Sequence, residues 1–154
     1  MNGSLQLTSP VFADGDIIPK KYTCKGINVS PPLEVHHVPA EAASLALILH
    51  DPDAPSGDFL HWSIWNLGTD IVSLSEDEVP DGARQGTNDF GKVAYGGPCP
   101  PSGTHRYIFE LYALDAELAV DDGADREELM EAIDTHIVAQ ATLTGTVTAD
   151  GEET

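Results

Sequence analysis

Apolar residues along this chain cluster in short runs broken by turn residues, a pattern that predicts strands far more often than helices. Leu5–Thr8 opens the series, and loop signals follow at Pro10 and at Asp14-Gly15-Asp16. An irregular, extended stretch at Asn28–Pro32 leads into Leu33-Glu34-Val35. Leu45–Leu49 (LALIL) is continuously apolar, the mark of a strand covered on both faces. His61–Leu67 (HWSIWNL) and Arg106–Leu114 (RYIFELYAL) are rich in aromatic and branched residues and read as core strands. Thr142–Thr148 alternates Thr with Leu, Gly and Val and reads as the last strand.

One helix is expected over about 126–139. Asp125 stands three residues before Glu128, an N-cap with its capping-box partner, and Leu129, Ile133 and Ile137 recur at i, i+4 and i+8. His136 falls at its C-terminal end, as a surface or capping residue. Without repeats or a dividing linker, residues 1–149 form a single domain, mainly β and packed sheet on sheet, and 150–154 are expected to fray.

Composition adds a strong constraint. Twenty-six acids face seven bases, a net charge of −19. Such a surface repels nucleic acid and anionic membranes, which removes both from the expected partners. No apolar run reaches the length of a membrane span, and the first residues lack a signal-peptide pattern, so the expected compartment is the cytoplasm. Between Asp115 and Asp134 nine acids meet one base, Arg126. Molar salt shrinks the Debye length to ~3 Å and screens that repulsion, so the composition is read as halophilic. Cys24 and Cys99 lie in no zinc-binding spacing. Buried free thiols are the first expectation, and a disulfide between their two loops stays open.

Candidate chemistry gathers in two loops. In YGGPCPPSGTHRY (95–107), glycines and prolines deliver His105 and Tyr107 onto the start of a strand. Two residues apart, they share a face, ~6.7 Å from one another along the chain. Arg106 points the other way, towards an acid. Gly96 and Gly97 allow close backbone approach, and between Pro98 and Ser102 only Cys99 offers an amide, a suitable anion contact. The second loop, Asp51-Pro52-Asp53-Ala54-Pro55, is followed by His61-Trp62. Asp51 ends the buried strand and is expected in the pocket, Asp53 is expected to brace its loop, and His50 faces the opposite side. His36 and His37 are read as solvated.

DPDAP, HW and GGPCPPSGTHRY together resemble the two signature regions of the phosphatidylethanolamine-binding protein family, which includes the Raf kinase inhibitor proteins. YTCKGINVSPPL and QGTNDFGKVAYGG are similar to its bacterial and archaeal branch in particular. The resemblance implies a Greek-key β-sandwich with short peripheral helical turns and a small pocket for phosphate-like anions. It places Asp51, His61, His105 and Tyr107 in the pocket and Gly97 and Cys99 in the backbone-contact loop. Pro100 and Pro101 become its wall, and Asp53 and Pro55 its support. Where Cys99 stands the eukaryotic members usually carry Gly, which implies a narrower mouth here, and their C-terminal extension has no counterpart after Thr148. The expected function is binding of a small phosphorylated or anionic ligand, with regulation of a kinase or other signalling protein. The alternative is a protein-interaction module, an inhibitor of a kinase or protease with a vestigial pocket. The prokaryotic relatives imply a homodimer.

A hydrolase is the weaker alternative: HExxH, GxSxG and P-loop patterns are absent, so no catalysis, cofactor or metal is expected. The charge reading predicts a melting temperature that rises by several degrees from low salt to molar potassium chloride. Equal thermal melts in the two would refute it.

Overall fold

The computed structural model describes residues 4–149; the expected tail at 150–154 lies outside them. Eight strands and one helix follow one another: β1 (Gln6–Thr8), β2 (Leu33–His36), β3 (Ser44–Asp51), β4 (Phe59–Leu67), β5 (Ser73–Leu74), β6 (Arg84–Gln85), β7 (Thr104–Leu114), α1 (Arg126–Asp134) and β8 (Ile137–Thr148). A single 3-10 turn, Lys20–Tyr22, supplies a peripheral helical turn. The strands form two antiparallel sheets, β1-β2-β5 and β6-β4-β3-β7-β8. In the larger sheet β3, β4 and β6 lie side by side in chain order, and β7 then returns to the free side of β3. That is Greek-key order.

All eight residues of β3 are buried, and the reason is visible in how they divide. Leu45, Leu47 and Leu49 point between the sheets, into a core with Trp62, Phe109, Leu33 and Leu7. Ala46 and Ile48 point the other way, into a second core with Trp65, Leu114, Leu129 and Ile133. That outer core is capped by the acid-rich segment and α1. The helix therefore buries one narrow stripe and leaves its carboxylates in water.

Asp125 caps α1 as the sequence predicts, its Oδ1 accepting from the Glu128 amide at 2.8 Å. The helix, however, stops at Asp134, five residues short of the expected 139. Ile137 does not extend the helical stripe; it opens β8, pairs with Leu114 and is 39% exposed. β8 accordingly begins five residues before Thr142. The β-branched pair Ile137-Val138 favours the strand over a third helical turn, and Ala139 packs against the inter-sheet core from β8. His136 sits in the break, its amide donating to the Ile133 carbonyl and its Nδ1 held 2.7 Å from Asp115 Oδ1.

On the outer face, His50 lies between two carboxylates, Asp58 Oδ1 at 2.7 Å from Nδ1 and Glu110 Oε2 at 3.1 Å from Nε2. Arg126 at the start of α1 reaches the other oxygen of Asp58 at 3.0 Å, and the Tyr112 hydroxyl donates to Glu110. Burial opposes the charge on this imidazole, yet the two carboxylates win and its pKa rises above the ordinary 6.5. The unfolded chain thus loses this proton at lower pH than the folded one. The resulting stability is full below about 6.5 and disappears as pH climbs through the raised folded value. Urea denaturation should show this decline in the wild type and not in His50→Gln; parallel pH profiles would remove the ion pair from the account.

Candidate functional site

Three neighbouring strands deliver the site. Asp51 is the last residue of β3, His61 is the third of β4, and His105 and Tyr107 are the second and fourth of β7. Because β3 lies between β4 and β7, these ends converge at one edge of the inter-sheet core. Strand alternation alone would misplace His61. Trp62 points into the inter-sheet core, so its neighbour should point outward. A register shift resolves this: Leu49 pairs with Trp62 but His50 pairs with Leu60, leaving His61 as an extra, unpaired residue. This β-bulge turns the imidazole to the pocket side, a common use of bulges beside binding sites.

The convergent side chains line a cavity of about 270 Å³. His105 Nδ1 lies 2.6 Å from Asp51 Oδ2, both groups buried, and Asp51 Oδ1 accepts the Asp53 amide at 2.8 Å. Asp51 thus orients His105 and its own turn, and both of its oxygens are engaged. The pair fixes the imidazole with Nδ1 towards the carboxylate, which frees Nε2. His61 is oriented by backbone: its Nδ1–H donates to the Gly96 carbonyl at 2.7 Å, and the Gly96 amide donates back to the His61 carbonyl at 2.9 Å. Burial lowers the His61 pKa below 6.5, so near neutral pH the ring is uncharged and its Nε2 is an acceptor. Tyr107 is fully buried, packs edge-on to His61 and stacks near His105, with ring centroids 5.3 and 6.3 Å away. Asp51 and the Cys99 amide lie close enough to influence the hydroxyl, but neither meets hydrogen-bond geometry, and burial raises its pKa. An orphaned buried hydroxyl costs about 1–3 kcal/mol.

Asp53 braces rather than lines the cavity. It accepts from the guanidinium Nε and Nη2 of Arg106, at 3.0 and 2.9 Å, and from the Arg106 amide at 2.9 Å, which holds its carboxyl at about 2. Pro55, Cys99 and Pro101 line the cavity; Pro100 and Gly97 do not. The Gly97 amide is committed to Asn28 Oδ1 at 2.9 Å, and a Cβ there would sit 2.2 Å from that oxygen. Gly97 is needed for this close approach between loops, so it supports the pocket from behind.

Cys99 and Cys24 are not buried thiols: both are exposed and joined as a disulfide across 75 residues of sequence. The Cys24 amide donating to the Pro98 carbonyl at 3.0 Å and the Tyr95 hydroxyl donating to the Tyr22 carbonyl at 2.7 Å reinforce the same junction. Spacing alone gave no means of pairing these cysteines. Phe59 and Phe90 are further wall residues that the sequence reading missed: Phe59 opens β4, two residues before the expected strand start at His61, and Phe90 sits in a turn without periodicity. Their rings meet edge-on at 4.8 Å, and both pack on His61. The cavity therefore combines three polar ends on one side with an apolar wall on the other.

Fold and site together define a two-sheet β-sandwich with a small polar-tipped pocket at one sheet end. A profile of the phosphatidylethanolamine-binding protein family matches residues 8–148. The chain is 49% identical over 146 residues to a UPF0098 protein of Methanothermobacter thermautotrophicus, covering 92% of this chain and 97% of that one. A UPF0098 protein of Chlamydia pneumoniae is also 49% identical, over 147 residues, with the same coverage. A phosphatidylethanolamine-binding protein homologue from Chlamydia trachomatis superposes with a TM-score of 0.90 at 46% identity, covering 94% of this chain and 97% of that one. Escherichia coli YbcL, described as a new member of the mammalian family, gives 0.89 at 30% identity, covering 95% and 99%. The chain belongs to the phosphatidylethanolamine-binding protein family.

Reducing the Cys24–Cys99 bond releases a long loop in the unfolded state, which should lower the unfolding free energy by about 2–4 kcal/mol. Urea denaturation with and without dithiothreitol measures this, and an unchanged midpoint would show that the remaining hydrogen bonds hold the junction alone.

Proposed function

We propose that this protein binds a small phosphorylated or otherwise anionic group in the cavity between β3, β4 and β7. The observation that carries the reading is the set of three polar ends without partners among the described residues: Nε2 of His61, Nε2 of His105 and the Tyr107 hydroxyl. All three residues line one cavity of about 270 Å³, a volume suited to a compact group. A phosphoryl oxygen gives the Tyr107 hydroxyl the acceptor it lacks. The Phe59–Phe90 wall suits an apolar stem attached to that group, and also lowers the local dielectric, which strengthens each polar contact.

Binding is coupled to a proton. His61 starts uncharged because it is buried, and an anion beside it favours the imidazolium. Either the ligand brings a protonated oxygen to Nε2, or the ring takes up a proton as the anion enters. Affinity for an anion of fixed charge therefore rises as pH falls and levels off only once His61 is charged in the free protein, below the ordinary 6.5. The whole-protein charge of −19 opposes entry, and salt weakens that opposition.

Titration with inorganic phosphate, followed by NMR, should shift the ring signals of both His61 and His105. Tyr107→Phe should weaken binding about 5- to 10-fold, the loss of a hydrogen bond worth ~1–1.5 kcal/mol. Ring signals that stay still at millimolar phosphate would defeat the proposal.

A further inference from the structure

Beside the cavity, across a ridge made by Phe90 and Cys99, lies a second hollow of about 290 Å³. Its lining includes Lys92, Asn28 and Tyr95 and contains no carboxylate. In a chain with 26 acids and 7 bases that is unusual, and the hollow along α1 shows the contrast, walled by Glu127, Glu131 and Asp134.

The use of the seven bases sharpens the point. Lys21, Arg84, Arg106 and Arg126 each form a salt bridge with a carboxylate. Lys25 donates to the Ala149 carbonyl. Lys20 and Lys92 have no carboxylate partner among the described residues, and of the two only Lys92 lines this hollow; its backbone is fixed, its amide donating to Asn88 Oδ1 at 3.1 Å and its carbonyl accepting the Asn88 amide at 2.8 Å. Asn28 is held as firmly, in the left-handed region at φ 68° with its Oδ1 on the Gly97 amide. Its side-chain NH₂ has no partner among the described residues. A non-glycine residue in that conformation carries a cost that the surroundings must sustain. The hollow thus presents an ammonium on an anchored backbone and an amide donor whose opposite atom is held. The Tyr95 hydroxyl and the Gly96 and Gly97 amides are already engaged within the chain.

The geometry points to a two-part cleft whose ligand carries two anionic groups. One sits against His61, His105 and Tyr107; the other reaches over the Phe90–Cys99 ridge to Lys92 and Asn28. This rests on the phosphoryl reading of the first cavity and adds the ligand class: a phosphoryl group joined by a short linker to a second phosphoryl or carboxylate group. The second contact is made within one molecule, so its gain comes through effective concentration and depends on linker length.

Calorimetric titration of methylphosphonate and of a series of alkane bisphosphonates of increasing chain length, at one ionic strength, tests the idea. A bisphosphonate of matching length should bind about 10-fold more tightly than methylphosphonate. Lys92→Ala, at an exposed position, should abolish that advantage and leave methylphosphonate affinity unchanged. No gain at any length, or a gain that survives Lys92→Ala, overturns the two-part cleft while the first cavity stands. Failure of methylphosphonate itself to bind removes the reading of the first cavity and the extension with it.

Discussion

A carboxylate at the end of a strand buried on both faces must be matched by donors, or its desolvation would destabilise the sheet. Asp51 is matched twice, by His105 across the β3–β7 pairing and by the Asp53 amide in its own turn. Much of the pocket follows from this. The imidazole is fixed, the turn at 51–55 is fixed, and Asp53 is left free to grip Arg106 from outside. The two β7 residues on either side of Arg106 then face the cavity. A single buried acid sets the orientation of two loops and one ring.

The opposite wall depends on a different device. His61 reaches the cavity because β4 carries one residue too many against β3, and the Gly96 backbone grips it from both directions. That contact also connects the bulge to the proline-rich loop, which the disulfide and the Gly97–Asn28 bond tie to the loop carrying Cys24 and Asn28. The pocket is therefore built from strand ends held rigidly by the sheet and from loops cross-linked to one another.

Charge is distributed with the same economy. The outer face of the sheet confines His50, Asp58, Glu110 and Arg126 in one ionic network beneath α1, while the remaining acids of that segment face water. Asp58 closes the same loop that supplies Ala54, Pro55 and Ser56 to the cavity wall. The network on one face of β3 thus supports the pocket on the other, through adjacent residues pointing in opposite directions.

Features that depend on local pattern were legible in the residues alone. The unbroken LALIL run required two covered faces, Asp125 and Glu128 marked the start of the helix, and the HRY step put His105 and Tyr107 on one side with Arg106 on the other. The signature loops named Asp51, His61, His105 and Tyr107 as one group. Other features arise from contacts between segments far apart in the chain and were not legible there. The bulge at His61 exists only against β3, and the pairing of Cys24 with Cys99 needs both loops in place. Phe59 and Phe90 become a wall only when the turn carrying Phe90 meets the start of β4. Gly97, whose amide could have faced a ligand, is claimed by Asn28 sixty-nine residues away. The end of α1 was likewise settled by β7, because the β-branched pair Ile137-Val138 favours a strand over a further helical turn.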